Sequence, residues 1–292
     1  MHTTANRDGP NGDGDCSASI YRALRTGFRH FDTAASYGNE ASIGKAVKQW
    51  TSEGHGNRED LTLTTKWGFS HDPKEEHDAD GLLQQSLLHL GVDYIDLMLM
   101  HHPHVPPYTL QEAWKKMIVW QKQGKVRSIG VSNFAADHIM QLAHTGTMPA
   151  VNEIEFHPYS FSDPQVLKAV ATCQELGIAI GAYTTLASLT RKEFQGGPVD
   201  EVVRHIAEDQ KCTKAQVLLA WARQRTGGGP IVTTASTEKY FQETLDSLKV
   251  NLSDEQLGEI DRAGMQSAIR RRYALNVFPN GPVADRMVDG KL

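Results

Sequence analysis

The stretch "FRHFDTAASYGNE" (residues 28–40) contains the pattern that decides the fold of this chain. A run flanked by apolar residues ends at Asp32. Tyr37 comes five residues later, immediately before Gly38 and Asn39. The run over 28–34 predicts a β-strand, and the segment after it has the spacing of a helix. A carboxylate and a phenol just beyond a strand add nothing to an apolar core, so both are candidates for chemistry.

Short β-rich runs alternate with helical patterns along the rest of the chain. The strand candidates are 28–34, 61–66, 95–101, 128–133, 151–157, 177–183 and 230–236, and the helix candidates are 40–50, 78–91, 109–125, 213–225 and 253–261. This order predicts a parallel sheet with crossover helices. By itself it leaves open a closed barrel or an open doubly wound sheet, although no G-x-G-x-x-G pattern follows any candidate strand. No shift in composition marks a linker, so one domain is expected.

Polar or titratable residues stand at the ends of successive candidate strands. They are Asp32, Lys66, His101 and, further along, Ser132, Asn133 and Tyr183. In an α/β barrel the active site lies at the carboxyl ends of the strands. Taken singly, each residue is better explained as a turn cap or a half-buried side chain. Their joint occurrence at consecutive strand ends favours an active site at the carboxyl ends of the strands.

Asp32, Lys66 and His101, taken together with Tyr37, predict an acid. A free tyrosine has a pKa of about 10, and a nearby ammonium lowers it by favouring the phenolate. Lys66 supplies such a charge, and Asp32 keeps a buried lysine protonated. Tyr37 then becomes a general acid for a carbonyl oxygen, with His101 orienting the carbonyl or sharing the proton.

Bulk composition argues against several classes of partner. The net charge of −5 disfavours nucleic acid and anionic membranes, and no apolar run approaches the roughly 18 residues of a membrane span. Three widely separated cysteines do not form a disulfide framework. The histidine-rich stretches 71–77 and 101–104 lack the spacing of a metal site, so no metal is expected. We expect a cytoplasmic monomer or homodimer.

Several motifs together resemble the aldo-keto reductase family. They are "GFRHFDTAASYGNEASIG" (27–44), "TTKWG" (64–68), "DLMLMHHP" (96–103), "GKVRSIGVSNF" (124–134) and "VNEIEFHPY" (151–159). The resemblance implies a single-domain (β/α)₈ TIM barrel over residues 19–292, with a C-terminal tail. The leader over 1–18 is polar and rich in Gly, Asn and Asp, and we expect it to be disordered. The resemblance also implies reduction of aldehydes or ketones with NADPH. Asp32, Tyr37, Lys66 and His101 match the family's catalytic tetrad.

The resemblance also implies a cofactor site. Ser132 and Asn133 hold the nicotinamide carboxamide, and Tyr183 stacks on the nicotinamide ring, for which a phenol face is a flat platform. Thr184 and Leu186 follow in the cofactor loop. Glu243 corresponds to the contact with adenine.

The chain departs from the family pattern at its start and at the cofactor. Residues ahead of 28 contain no candidate first strand, so the leader pairs irregularly, another segment or subunit covers the gap, or the chain is truncated. Glu153 replaces a carboxamide-binding glutamine and loses its NH₂ donor. The residues that bind the 2′-phosphate of NADPH in the family are replaced here by Thr234, Ala235 and Tyr240. NADH is therefore a possible cofactor beside NADPH.

The predicted substrate pocket is also altered. Gly68 and His102 replace two pocket tryptophans beside Trp67, so a bulky carbonyl substrate is expected. Two other functions remain open. One is a redox-neutral cyclase, dehydratase or isomerase that uses the same acid-base groups without a nicotinamide. The other is a non-catalytic binding subunit on the same fold.

Overall fold

The computed structural model describes residues 14–68, 78–267, 271 and 273–278. The chain divides into two compact units. The first unit comprises residues 1–132, 140–152 and 232–245, and the second unit comprises 133–139, 153–231 and 246–292. The single barrel domain over 19–292 stays a prediction.

Helices and parallel strands alternate along the described chain. The helices are α1 (Ser17–Thr26), α2 (Glu40–Ser52), α3 (Ala79–Leu90), α4 (Leu110–Lys122), α5 (Ala136–Ala143), α6 (Pro158–Phe161), α7 (Pro164–Glu175), α8 (Ala187–Thr190), α9 (Pro198–Gln210), α10 (Lys214–Arg225), α11 (Glu238–Asp246) and α12 (Asp254–Gly264). The strands of this part of the chain are β1 (His30–Asp32), β2 (Thr62–Trp67), β3 (Ile95–Met100), β4 (Val126–Ser132), β5 (Val151–Glu155) and β6 (Ala179–Tyr183). A parallel α/β fold was predicted and is confirmed, whereas an eight-stranded barrel stays a prediction because six strands are described.

In the first unit, β1 to β4 lie side by side in chain order, and each neighbouring pair is parallel. Asp32 pairs with Thr64, and Lys66 lies two residues further along β2 and pairs with Leu99. The backbone N–H of His101, just past β3, donates to the carbonyl of Trp67 at 2.8 Å. Since parallel strands direct their carboxyl ends to one edge, this register gathers the predicted titratable residues there.

Local sequence signals set the helices of this unit. Thr109 and Glu112 form a capping box at the start of α4, within the helix predicted over 109–125. The apolar positions of α4, at Ala113, Trp114 and Met117, are fully buried, and helical spacing places them on one face. The sheet therefore gains a packed layer on that side.

The segment ahead of β1 forms a helix. Residues 1–13 of the predicted leader lie outside the described residues, whereas Ser17 and Ala18 belong to α1. Ile20, Ala23 and Leu24 are fully buried, as expected for one face of an amphipathic helix. Between residues 14 and 29 the structure describes no strand, in agreement with the sequence.

In the second unit, β6 lies beside β5, and the N–H of Phe156 donates to the carbonyl of Tyr183 at 3.0 Å. The strand predicted over 230–236 is wrong in extent, because only a single parallel bridge between Ala182 and Ile231 forms. Ala182 donates to the carbonyl of Pro230 at 2.8 Å. Proline has no N–H to return to the ladder, which limits pairing at this point.

No helix in the described ranges is both long enough and apolar enough to cross a bilayer.

Candidate active site

A buried ion pair forms the base of the candidate site in the first unit. Nζ of Lys66 donates to Oδ1 of Asp32 and, at 3.1 Å, to the carbonyl of Thr33. The Lys66 and Asp32 side chains are 1% and 2% exposed. Because an unpaired buried ammonium tends to lose its proton, the carboxylate keeps Lys66 charged. The ends of β1 and β2 thus hold the Lys66 ammonium and the Asp32 carboxylate as a buried ion pair.

Tyr37 lies beside the ammonium of this pair. It ends the 3₁₀ helix Ala35–Tyr37, and Nζ of Lys66 is 5.5 Å from the centroid of its ring. The Tyr37 hydroxyl is 3.3 Å from Nε2 of His101, and the two rings meet edge to face with centroids 5.5 Å apart. Tyr37 and His101 are half-buried. The structure therefore brings the four predicted catalytic residues together.

Neighbouring residues that sequence reasoning missed fix the loop carrying Tyr37. Thr33 donates through its hydroxyl to Oδ1 of Asn39, and both residues are buried. Glu40, which begins α2, accepts a 2.7 Å hydrogen bond from the Thr65 hydroxyl. Gly38 has a φ of 68°, a left-handed conformation that favours glycine. The signal was available in the Gly-Asn-Glu run that follows Tyr37.

His30 is a second imidazole near this ion pair that the sequence did not single out. Its Nε2 lies 2.8 Å from the hydroxyl of Thr64. Burial lowers its pKa to about 4. The imidazole is therefore neutral at pH 7 and adds no charge beside Lys66.

Residues predicted to hold the nicotinamide meet in the second unit. Asn133 has a φ of 62°, and its N–H donates to the carbonyl of Glu153 at 2.9 Å. The Tyr183 hydroxyl donates to Oδ1 of Asn133 at 2.6 Å. Three of the predicted cofactor residues are thus linked directly. Ser132 ends β4 in the first unit and is 1% exposed.

The loop after β6 carries donors that suit a polar ligand. Thr184 has a φ of 56°, and its hydroxyl bonds to the carbonyl of Tyr183. Leu186 is the N-cap of α8. The hydroxyls of Thr185 and Ser188 are buried and make no hydrogen bond within the described residues. Buried donors of this kind normally have a partner, so the residues of this loop fit a bound cofactor.

The remaining predicted cofactor residues belong to the first unit. Thr234 is exposed, Ala235 is half-buried, and Tyr240 is 51% exposed. Glu243 is half-buried on α11. No lysine or arginine occupies positions 234, 235 or 240.

Comparison with known proteins decides the family. The model of the Aldo/keto reductase family matches residues 2–264. The chain belongs to the aldo/keto reductase family. It is 33% identical over 279 residues to the NAD(P)H-dependent D-xylose reductase of Scheffersomyces stipitis, covering 84% of this chain and 85% of that protein. It is 36% identical over 244 residues to a methylglyoxal reductase of Escherichia coli, covering 83% and 82%.

Solved structures agree with this assignment. An aldo-keto reductase of Bombyx mori in complex with NADP superposes with a TM-score of 0.78 at 28% identity, covering 97% of this chain and 94% of that one. An aldo/keto reductase of Brucella melitensis gives 0.71 at 30% identity, covering 86% and 91%. The predicted family is confirmed, and the chain is an enzyme of the aldo-keto reductase type.

The predicted substrate-pocket residues of this aldo-keto reductase have distinct surroundings. Trp67 is 3% exposed, and its ring packs edge to face against Trp120 at 5.1 Å. Gly68 has a φ of +87°, and a Cβ there would lie 2.8 Å from Cγ2 of Val105. His102 is half-buried, and its Nδ1 accepts the N–H of residue 104. A wide pocket lined by these residues stays a prediction.

Among the described residues no group of three or more His, Cys, Asp or Glu side chains is arranged to hold a metal ion. The stretch 71–77, one of the two histidine-rich segments, lies outside the described residues.

Proposed function

We propose that this enzyme uses NAD(P)H to reduce an aldehyde or ketone to an alcohol, with Tyr37 as the proton donor. The observation that carries the proposal is the buried Lys66–Asp32 pair beside the Tyr37 ring, with the Tyr37 hydroxyl on His101. The named relatives that reduce D-xylose and methylglyoxal support the reaction class.

The chain's own residues divide the acid chemistry. The Lys66 ammonium favours the phenolate and eases release of the Tyr37 proton to a carbonyl oxygen. Asp32 keeps that ammonium charged inside the protein. His101 orients the carbonyl through its Nε2 edge and shares the proton of the hydroxyl. Tyr37 is half-buried and not fully enclosed.

The residues that the family resemblance implies are assigned to the cofactor in this proposal. The nicotinamide carboxamide is bound by Ser132, Asn133 and Glu153. Tyr183 stacks on the face of the nicotinamide ring. Thr184 and Leu186 contribute from the loop after β6, and Thr234, Ala235 and Glu243 take the adenosine. When bound, the nicotinamide supplies the hydride. Without a cation at positions 234, 235 or 240, little preference for NADPH over NADH is expected.

A bulky carbonyl compound is the proposed substrate, taken in a pocket lined by Trp67, Gly68 and His102. Gly68 and His102, in place of the two tryptophans that the family resemblance implies, would leave the pocket wider and more polar. A (β/α)₈ barrel, a monomeric or homodimeric state and a cytoplasmic location complete the proposal.

The test measures cofactor binding first and turnover second. Calorimetric titration with NADPH and with NADH is expected to give a dissociation constant for both. Absorbance then follows NADPH oxidation with small and bulky aldehydes and ketones. A protein that binds neither cofactor refutes the proposal. Turnover of a carbonyl compound with no nicotinamide present would instead establish the redox-neutral alternative, which Glu153 in place of a glutamine motivates.

A further inference from the structure

A buried carboxylate at the end of β5 contacts the C-terminal segment, defined as Arg271 and residues 273–278. Glu155 is 1% exposed, and its Oε1 lies 3.0 Å from Nε2 of His157. Its Oε2 accepts the backbone N–H of Tyr273 at 2.8 Å and lies 3.8 Å from Nη2 of Arg271. One side chain therefore joins the strand to a segment more than a hundred residues away.

Electrostatics keep this carboxylate ionised. Burial acts to raise the pKa of Glu155, but the hydrogen bond from His157 and the charges of His157 and Arg271 act against it. The N–H of Tyr273 adds to them, and the pKa lies below its ordinary value. A charge buried this deeply needs its partners in place, so the contact is sensitive to geometry.

The C-terminal segment also folds on Arg271. The Arg271 side chain is fully buried, and its guanidinium lies 4.4 Å from the centroid of the Phe278 ring. Phe278 is itself fully buried. The two ends of the segment are thus tied to the same guanidinium, which is tied to Glu155.

This anchorage places the Tyr273 ring beside Tyr183. The two rings meet edge to face with centroids 6.0 Å apart. The Tyr273 hydroxyl accepts a 2.6 Å hydrogen bond from Nη2 of Arg191. Tyr183 is held at its other end by the hydrogen bond from its hydroxyl to Asn133. The plane of the Tyr183 ring is therefore set from two sides.

We propose that Glu155 is a positioning residue: through Arg271 and the backbone of Tyr273 it holds the Tyr273 ring against Tyr183. The consequence for the cofactor rests on the proposed function, in which Tyr183 stacks on the nicotinamide ring. Stacking needs a ring held at one angle, so loss of Tyr273 weakens cofactor binding. Proton donation by Tyr37 does not depend on this contact.

Cofactor affinity separates this role from a catalytic one. Tyr273→Ala removes the ring at a partly exposed position, and the dissociation constant for NADPH is expected to rise about tenfold while kcat changes less than about twofold. Tyr273→Phe keeps the ring and is expected to stay within about twofold of wild type. Unchanged affinity in Tyr273→Ala, or an equal loss of kcat, overturns the proposal.

The anchor is tested without the cofactor. Glu155→Gln is expected to speed chymotryptic cleavage after Tyr273, followed by mass spectrometry, and to weaken NADPH binding. Glu175→Gln, at the exposed end of α7, is the matched control and leaves both unchanged. If Glu155→Gln does not fold, Arg271→Gln tests the same contact from the tail. Cleavage at the wild-type rate overturns the role of Glu155.

The two proposals fail in different ways. A wild-type protein that binds neither NADPH nor NADH refutes the proposed function, and the cleavage rates still decide whether Glu155 anchors the segment. The wild-type protein could instead bind the cofactor normally while Glu155→Gln changes neither the cleavage rate nor the affinity for NADPH. That result refutes the anchoring role of Glu155 and leaves the proposed function in place.

Discussion

Lys66 donates from Nζ to Oδ1 of Asp32, and neither side chain is more than 2% exposed. Burying an ion pair costs solvation, which the attraction between the charges offsets only while both partners are present. The pair places the Lys66 ammonium 5.5 Å from the centroid of the Tyr37 ring. Replacing either partner alone is therefore expected to destabilise this edge of the sheet.

Breaking this pair is expected to destabilise the fold. Asp32→Asn leaves a buried ammonium without its counter-charge. The free energy of unfolding, measured by urea denaturation, is therefore expected to fall by about 3–5 kcal/mol. Asp32→Asn combined with Lys66→Met is expected to recover part of that loss. Lys168→Met, which breaks the exposed pair with Asp137, is the control and has little effect. Strict additivity of the two buried substitutions would contradict the coupling.

Removing the proposed acid is expected to stop turnover and leave binding intact. Tyr37→Phe keeps the ring but loses the proton, so kcat for carbonyl reduction is expected to fall by about 10²–10⁴-fold. The dissociation constant for NADPH, measured by calorimetry, should stay unchanged. Tyr94→Phe removes a buried hydroxyl that makes no hydrogen bond within the described residues and serves as the control. Near-normal kcat in Tyr37→Phe would exclude this residue as the acid.

Cofactor preference is expected to be weak and open to redesign. Thr234→Lys combined with Tyr240→Arg supplies cations for the 2′-phosphate, and the dissociation constant for NADPH is expected to fall about tenfold. The value for NADH should stay within about twofold, because NADH carries no phosphate at that position. An equal gain for both cofactors would show that the new cations act elsewhere.

Protonation of His30 is expected to destabilise the protein in acid. Burial lowers its pKa to about 4 in the folded state, against about 6.5 unfolded. Between these values the unfolded chain binds a proton that the native chain does not. The contribution of His30 to the free energy of unfolding is therefore fully present above a pH of about 6.5. It is lost as the pH falls towards 4, and the loss amounts to about 3 kcal/mol at most.

Urea unfolding at several pH values checks this dependence. His30→Asn should flatten the curve over that range, and His205→Asn, at an exposed position on α9, should leave it in place. A curve for His30→Asn that is parallel to wild type would rule out His30 as the group responsible.

The left-handed backbone at Gly68 is expected to resist a side chain. Gly68→Ala places a Cβ 2.8 Å from Cγ2 of Val105 at a φ of +87°, and a loss of about 1–3 kcal/mol is expected. Gly124→Ala is the matched control, because its φ is +73° with nothing within 4 Å of the new Cβ. Thermal unfolding should show the larger loss at Gly68. Equal losses would mean that backbone strain acts alone and Val105 moves aside.

Much of the fold could be predicted from local patterns. The runs around Asp32, Lys66 and His101 have strand composition and end in titratable groups, and the capping box at Thr109 is a purely local signal. The expected strand over 230–236 failed because pairing depends on neighbours, and Pro230 offers no N–H.

The sequence by itself determined the parallel α/β order and the set of catalytic candidates, because strand and helix periods and motif spacing act over short distances. Only the tertiary structure decided that the Tyr37 hydroxyl meets His101 and that Tyr273 reaches Glu155. These contacts join residues separated by 64 and 118 positions. Their geometry follows from strand register and the pairing of buried charges, which no local pattern encodes.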